Sequence, residues 1–552
     1  MDGKVPGTPS YGRAHWVPVI TLMLPWLNPF AGGPSPAVVP WLISLACICI
    51  FLLLTLAVRV DFAAIPAAPW LAAAVLSCAL GLLQYFGAAA ALSPWVNNTS
   101  AGEAFANLRQ RNQFATLTAV GMVALLWFVR HHKAAVVASG RVYRSALSSL
   151  LSAQTTMPVI AVVLLAFGNA ASSSRTGMLQ LVLIIALFCV WGGLRQPAVR
   201  RLLMVGGLAY ALAAYALPRW AGLDPTTTGI LARLHDGDPV CASRLTLWNN
   251  VLHLIAQKPW AGWGWGELDY AHFTTLYSGA RFCDILDNAH NLPLHLAVEL
   301  GIPVAVLVCG LGLWLAWRSR PWRETDPSRQ MAWAVLAVIL LHSMLEYPLW
   351  YGPFQIAAGL CVWILWPARQ TVRADAASGD NTNAEAEAGA GVGVAAHQLI
   401  GGPQRTHLFL EKVIAACMAL VVLAGVVYAA WDYRRISQIY LAPDMRAPAY
   451  RENTMAKIGA SWLFRNQVQF AELTTTEVTA DNAARINAMA HDLLHFSPEA
   501  RVAEKLIDSA RMLSHNEEAL FYMARYRAAF PAEYAHWAEA RGARAALQLS
   551  AE

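Results

Sequence analysis

Residues 287–303, DNAHNLPLHLAVELGIP, set a His290-Asn291 pair directly before a long apolar stretch that carries its own His295 and Glu299. Histidine titrates near neutral pH and can accept the proton of an attacking hydroxyl. Arginine stays charged at any physiological pH and grips anionic oxygens in a planar fork. Arginines stand in comparable short polar patches: Arg109 and Arg111 in NLRQRNQFA (107–115), Arg175 in SSSRTG (172–177) and Arg244 in ASRLTLWNN (242–250). GWGWGELDY (262–270) and HSMLEYPLWYG (342–352) add aromatic and acidic side chains.

Singly, each residue has an ordinary reading. Arg175 suits a headgroup-snorkelling side chain, and Arg109 and Arg111 suit a solvated helix start. His290, with Asn291 and Pro293 behind it, suits a helix cap with proline in the first turn. His295 and Glu299, at i and i+4, suit mutual satisfaction within an apolar helix. Gly262, Gly264 and Gly266 imitate a phosphate loop, yet no strand precedes them and no Lys-Ser/Thr follows; tight turning among tryptophans fits better. A shared function requires that one surface collect the patches.

The elements that must do so are membrane helices. The chain has 552 residues, 57% apolar and 13% charged, against roughly 25% charged in soluble domains. About eleven apolar runs are long enough to cross roughly 30 Å of hydrocarbon; they fall at 17–32, 37–58, 66–86, 113–129, 148–168, 178–194, 202–217, 292–316, 331–346, 353–367 and 412–431. The expected fold is an all-α polytopic membrane protein, with AGGPSP between the first two runs leaving a re-entrant hairpin open there. No removable signal peptide is evident at the N-terminus, so an anchored chain is expected. Lys4, Arg13, Arg59, Arg130, Lys133, Arg141, Arg144, Arg195, Arg200, Arg201, Arg318, Arg320, Arg323, Arg329, Arg369 and Arg373 all fall on one side of an alternating path. The positive-inside rule makes that side cytoplasmic, with the N-terminus in and the C-terminus out. Residues 87–112, 169–177, a large loop at 218–291, the turn 346–352 and everything beyond about 432 then share the outer face. The polar patches lie there.

Seven of the nine cysteines lie in apolar runs, where they act as small hydrophobes. Cys241 and Cys283 alone sit in the large loop. In an oxidising compartment they can pair, tying the Arg244 region to the segment before His290. Residues 1–367 read as a transmembrane catalytic domain, 368–408 (ADAASGDNTNAEAEAGAGVGVAAH at its centre) as a flexible cytoplasmic linker, and 409–432 as a last transmembrane helix. Residues 433–552 are ordinary soluble sequence with helical apolar spacing, NAARINAMAHDLLHF and NEEALFYMARYRAAF, and read as a small outer domain of helical hairpins resembling tetratricopeptide units.

SSSRTG, SRLTLW, DNAHNLPLHLAVELGIP and EYPLWYG together resemble the bacterial O-antigen ligase superfamily. NLRQRNQFA and the soluble C-terminal region resemble its protein O-oligosaccharyltransferase branch, which glycosylates pilins and other periplasmic proteins. The resemblance implies a fold of the C-type glycosyltransferase kind, in the bacterial inner membrane, with its active site at the periplasmic face. It implies en bloc transfer of an oligosaccharide from undecaprenyl diphosphate to a Ser/Thr hydroxyl. RQRNQ departs from the Gln-Pro-Asn-His form many relatives carry, which leaves open whether Gln110 or Gln113 inherits its role.

Such a transfer builds negative charge on the leaving diphosphate and strips a proton from the acceptor. Arg175 and Arg244 are the candidates to stabilise the diphosphate, and His290 is the candidate general base. Gln110, Asn112, Gln113 and Asn291 are candidates to orient sugar or acceptor, and Tyr347 and Tyr351 to bond glycan or phosphate, an interfacial aromatic belt being their alternative. No cofactor is expected. His235, Asp236 and Asp238 in HDGDP can hold a divalent cation but read better as a polar turn, and the resemblance implies metal-independent transfer. The partners expected are the lipid-linked donor, a periplasmic acceptor protein such as a pilin, and membrane lipids; nucleic acid is not among them. Ligation to lipid A-core and glycan polymerisation use the same residue types. A transporter with His295, Glu299 and Glu346 as proton relays is a separate class, against which no internal repeat is evident.

Overall fold

The computed structural model describes residues 16–57, 66–139, 156–236, 239–366 and 402–549, and every α or 3-10 element among them is helical. The linker up to residue 401, the basic residues Lys4, Arg13, Arg59, Arg141, Arg144, Arg369 and Arg373, and Asp238 lie outside the described residues. In chain order the α-helices are α1 (Trp16–Leu27), α2 (Val38–Ala57), α3 (Ala67–Tyr85), α4 (Arg111–Ser139), α5 (Met157–Ala171), α6 (Arg175–Val190), α7 (Pro197–Trp220), α8 (Ile230–Asp236), α9 (Arg244–Gln257), α10 (Leu268–Thr274) and α11 (Leu292–Leu300). Then follow α12 (Ile302–Ser319), α13 (Pro327–Ser343), α14 (Gly352–Leu365), α15 (Gly402–Ile436), α16 (Thr454–Ile458), α17 (Arg465–Thr475), α18 (Ala483–Leu494), α19 (Ala500–Met512), α20 (Asn516–Ala529) and α21 (Pro531–Leu549).

Among the described residues, six segments are long and apolar enough to cross a membrane: Val38–Ala57, Ala67–Tyr85, Arg111–Arg130, Pro197–Trp220, Ile302–Arg323 and Leu410–Tyr440. The apolar stretches Val17–Leu27, Met157–Ala171, Arg175–Val190 and Gly352–Leu365 are shorter. The chain is a multi-pass membrane protein. The first two apolar runs form separate helices, α1 and α2.

Helix α4 is the axis of the bundle. Its apolar side chains from Phe114 to Val129 are buried on all sides, against α3, α5, α6 and α13. Lipid offers no hydrophobic drive to press helices together, so close backbone approach through small residues must supply the contact. A Cβ on Gly81 would strike Phe114, one on Gly121 would strike Ala74, one on Gly168 would strike Cys78, and one on Gly177 would strike Ala115. Buried amides add direction: Asn169 donates to Thr118 Oγ1 at 2.7 Å, and Gln180 donates to Thr116 Oγ1 at 2.8 Å.

One expected span is corrected. Residues 292–316 are not a single helix but α11 and α12, broken at Gly301, whose φ is +87°. The break admits another backbone. Trp263 N donates to Val298 O, Gly264 N to Glu299 O and Ile302 N to Pro259 O, each at 2.9 Å. A Cβ on Gly262 or on Gly301 would collide with the other segment's main chain. The glycines of GWGWG therefore clamp the loop onto the start of the span. Helix α11, nine residues long, reaches only about 13 Å and lies outside the candidate span that begins at Ile302.

Two boundaries also move. Helix α15 begins at Gly402, inside the stretch read as linker, and continues past 432 to Ile436. The large loop at 218–291 is built of α8, α9 and α10. Its α10 couples to the C-terminal helices: Phe273 joins their core with Ile486, Leu506 and Tyr526. Arg525 donates to Thr274 O at 2.7 Å, and His495 Nδ1 lies 2.6 Å from Glu267 Oε2.

Candidate active site

Four helices begin at one end of the bundle with the same device. A polar side chain just ahead of the helix accepts the main-chain N–H three residues on: Gln110 from Gln113 for α4 (3.1 Å), Ser174 from Gly177 for α6 (3.0 Å), Ser243 from Thr246 for α9 (3.2 Å) and Asn291 from Leu294 for α11 (3.1 Å). The first residues of α4, α6 and α9 are Arg111, Arg175 and Arg244. A cation at a helix N-terminus opposes the helix dipole. The chain's own carboxylates answer two of these cations, Glu346 facing Arg244 and Glu103 facing Arg111 at 3.2 Å. In three of the four, the residue two before the helix is a non-glycine in the left-handed region: Arg109 (φ 60°), Ser173 (φ 53°) and His290 (φ 50°). Each costs about 1–3 kcal/mol, and such strain persists where surrounding contacts over-determine it.

The contact that joins these helix starts is a carboxylate. Glu346, buried just past α13, accepts from Arg244 Nη2 and, at 3.1 Å, from Asn112 Nδ2, both on Oε1; His290 Nδ1 lies 2.7 Å from its Oε2. Ser174 Oγ in turn donates to Asn112 Oδ1 at 2.6 Å. Burial alone would push the Glu346 carboxyl up. The His290 hydrogen bond and the charges of His290, Arg244 and His342 outweigh it and hold the group below its ordinary value. An ionised carboxylate only accepts, so the hydrogen of this contact sits on His290 Nδ1. The His290 main-chain N–H donates to Asn288 Oδ1 at 2.9 Å, fixing the strained residue from the other side.

Around this centre, Tyr347 meets the His290 ring edge-on at 4.9 Å and Tyr351 stacks on Tyr347 at 5.8 Å. The side-chain nitrogen of Gln113 is buried without a hydrogen-bond partner. Burial pushes both phenols up, which keeps them as hydrogen-bond donors. Asn291 is engaged at both ends, its amide nitrogen donating to Met344 O at 3.0 Å while its oxygen caps α11. The helix cap beside His290 is thus Asn291. Arg175 is the first residue of α6, directly after Ser174, and it is the Ser174 side chain that reaches Asn112. Cys241 and Cys283 are bonded to each other with Cα atoms 5.3 Å apart, three residues before Arg244 and seven before His290.

From the sequence alone Glu346 reads as a relay in a transporter, and the Ser174–Asn112 link is not visible. A lone Glu after HSML carries no local mark, since its partners lie 56, 102 and 234 residues away. The reach of the Ser174 hydroxyl to α4, 62 residues away in the chain, carries no local mark either.

The fold and site define a class: a multi-pass helical membrane protein in which Arg244, His290 and Asn112, each at a helix start, meet one buried carboxylate, Glu346. Three family descriptions match the chain: Protein glycosylation ligase over 104–128, O-Antigen ligase over 160–309, and Virulence factor membrane-bound polymerase, C-terminal, over 330–544. The chain is similar to a General O-oligosaccharyltransferase of Acinetobacter baylyi, 25% identical over 285 residues, covering 49% of this chain and 45% of the relative. It is similar to the ComP-specific O-oligosaccharyltransferase of the same organism, 25% identical over 267 residues, covering 48% and 44%. The chain spans about half the length of the curated relatives it matches. The resemblance to O-oligosaccharyltransferases of the O-antigen ligase superfamily is shown by these matches. The matched segments contain every residue of the site: Gln110 to Gln113 in the first, Arg175, Arg244 and His290 in the second, Glu346 to Tyr351 in the third.

Proposed function

We propose that this protein transfers a preassembled oligosaccharide from undecaprenyl diphosphate to Ser or Thr hydroxyls of periplasmic proteins such as pilins. The observation that carries the reading is the meeting of His290, Arg244 and the helix starts at one buried carboxylate. The acceptor oxygen attacks the anomeric carbon as the bond to the diphosphate breaks. The electron pair leaves with the diphosphate oxygen, and the acceptor proton passes to His290 Nε2. Arg175, Arg244 and the helix N-termini stabilise the departing charge in the role a metal ion takes elsewhere. Gln110, Gln113, Asn291, Tyr347 and Tyr351 shape the surroundings of sugar and acceptor, and Asn112 holds Glu346. The site faces the periplasm, with the N-terminus in the cytoplasm, because Arg130, Arg195, Arg318 and Arg329 lie at the opposite helix ends. The C-terminal helices, joined to the site through α10, are placed to hold the protein acceptor.

The test is a reconstituted reaction with lipid-linked oligosaccharide and a pilin, comparing wild type with His290→Ala, Arg175→Ala and Arg244→Ala, with and without chelator. Glycoprotein product, lost in each variant and indifferent to chelator, supports the proposal. The matches to O-Antigen ligase and polymerase descriptions favour a second reading. Product on lipid A-core or an elongated glycan on the carrier, with none on protein, would replace the first reading by it.

A further inference from the structure

The C-terminal helices are joined to the bundle by α15. Between Lys412 and Asp432 this helix is unbroken apolar sequence, residues 413–431, about 28 Å long against a hydrocarbon layer of roughly 30 Å. Asp432 therefore stands at the boundary, and it is wholly buried. It pairs with Arg435 at 2.6 Å, and Ser461 Oγ donates to its other oxygen at 2.7 Å. Ser461 Oγ also accepts the Phe464 main-chain N–H at 3.1 Å, and the Phe464 ring packs on Tyr433 at 5.0 Å. These two inward residues pin 461–464 to the end of the helix. The two residues between them are left outside: Trp462 is 71% exposed, and Leu463 is exposed beside it. Trp462 reaches back along the helix. Its indole N–H donates to Tyr428 Oη at 2.8 Å and its ring stacks on Tyr428 at 6.1 Å, one turn inside the apolar stretch. Trp431, also exposed, meets Tyr428 from the same helix at 5.7 Å.

We infer that Trp462 and Leu463 enter the headgroup region of the bilayer, so that the chain, having left the membrane at Asp432, returns to it as a second anchor for the C-terminal helices. The occupant follows from depth. Tyr428 belongs to the lipid-crossing stretch, and a ring within hydrogen-bond reach of it shares its level. There a tryptophan meets hydrocarbon on one side and polar headgroups on the other, the place its apolar ring and polar edge favour. Exposed Arg434 lies two residues beyond Asp432 and exposed Arg465 three beyond Trp462, within snorkelling reach of lipid phosphates. A protein partner would have to displace lipid to reach the same pair. Helix α17 begins at Arg465, directly after the pair, so the anchor sets the height of the C-terminal helices over the membrane whatever the site transfers.

The test uses the full chain in nanodiscs of phosphatidylethanolamine and phosphatidylglycerol, with a benzophenone amino acid in place of Trp462 or of Leu463. Expected are cross-links to phospholipid at both positions. The same is expected at Val421, exposed within the apolar stretch of α15, and no lipid cross-link at Leu520 of α20, which is exposed as well. Hydrogen exchange then reads what the contact holds. In Trp462→Ser the amides of 459–464 should exchange about tenfold faster, the lower end of what burying an aromatic ring is worth. Helices α18 and α19 should keep their protection, which shows the variant folded, and Trp462→Phe should stay close to wild type. Cross-links at 462 and 463 to a second copy of this chain or to another protein, or none there while Val421 labels, would overturn the inference. Exchange unchanged in Trp462→Ser would also overturn it, by showing that the ring anchors nothing.

Discussion

Two histidine–glutamate pairs lie within a few residues of each other in this chain, and they are chemically opposite. His290 meets Glu346 from a helix 56 residues away, in company with Arg244 and Asn112. His295 meets Glu299 one turn along α11, Nε2 to Oε2 at 3.4 Å, with the edges of Trp265 and Trp350 against its ring. Glu346 is held below its ordinary value by its cationic partners despite burial. Burial instead pushes Glu299 up to about 7 and His295 down to about 4. The tautomers differ as well. Glu346 draws the hydrogen of their contact to His290 Nδ1, whereas His295 Nδ1 faces the Ala289 N–H at 3.4 Å and its Nε2 faces Glu299. What fits an imidazole for proton transfer is thus a partner that stays charged. The inner pair, its carboxyl raised and its imidazole lowered by burial, packs the start of the span.

The sharpest way to break this contrast is to exchange the two imidazoles for amides. His290→Gln is expected to lower transfer about 10²- to 10⁴-fold, the usual worth of a general base, with the thermal midpoint close to wild type. His295→Gln should show the reverse, a lowered midpoint with kcat within a few-fold. Equal losses of transfer in both variants would mean that the pairs act as one unit. Next in size comes Glu346→Gln, whose amide can donate to Nδ1 and so place the hydrogen on Nε2. A fall of about 10²-fold in kcat is expected, with partial recovery in Glu346→Asp and little change in KM for the acceptor. A Glu346→Asp variant no better than Glu346→Gln, or a Glu346→Gln protein that fails to fold, would make the carboxylate a structural pin and nothing more.

The contrast also marks where the sequence could be read. Long apolar runs specify membrane helices because lipid leaves the backbone few other conformations, and among the described residues six helices are long and apolar enough to cross, against the eleven runs read from the sequence. Helix starts at Ser174, Ser243 and Asn291 follow from local chemistry that the flanking residues carry. The break at Gly301 has a signal too, Gly-Ile-Pro, but unbroken apolarity from 292 to 316 hid it. Gln110 and Asn291 read as ligands by type, while their side-chain oxygens in fact close helix ends. Glu346 was the hardest to see. An i,i+4 pair such as His295 and Glu299 is visible in the sequence because the helix itself brings it together. A carboxylate gathering α4, α9 and α11 becomes visible only once those helices are packed.

The smallest expected effect tests the neutral pair through pH. Glu299 has a folded pKa raised to about 7, so the folded state holds a proton that the unfolded carboxyl releases near its ordinary 4.5. Stability from this group is greatest below about 4.5 and declines as pH rises towards 7. His295 contributes with the opposite sign. Its folded pKa is lowered to about 4 from 6.5, so its contribution is full above 6.5 and declines as pH falls towards 4. Glu299→Gln keeps the shape and removes only the first of these. Its thermal midpoint should therefore match wild type near pH 5 and exceed it by a few degrees near pH 8, while transfer at pH 7 changes little. A midpoint lower than wild type at pH 8 would show that the folded state holds the Glu299 carboxyl below, not above, its ordinary value, paired with a charged His295. The two pairs would then be alike, and the difference between them in function would need a cause other than charge.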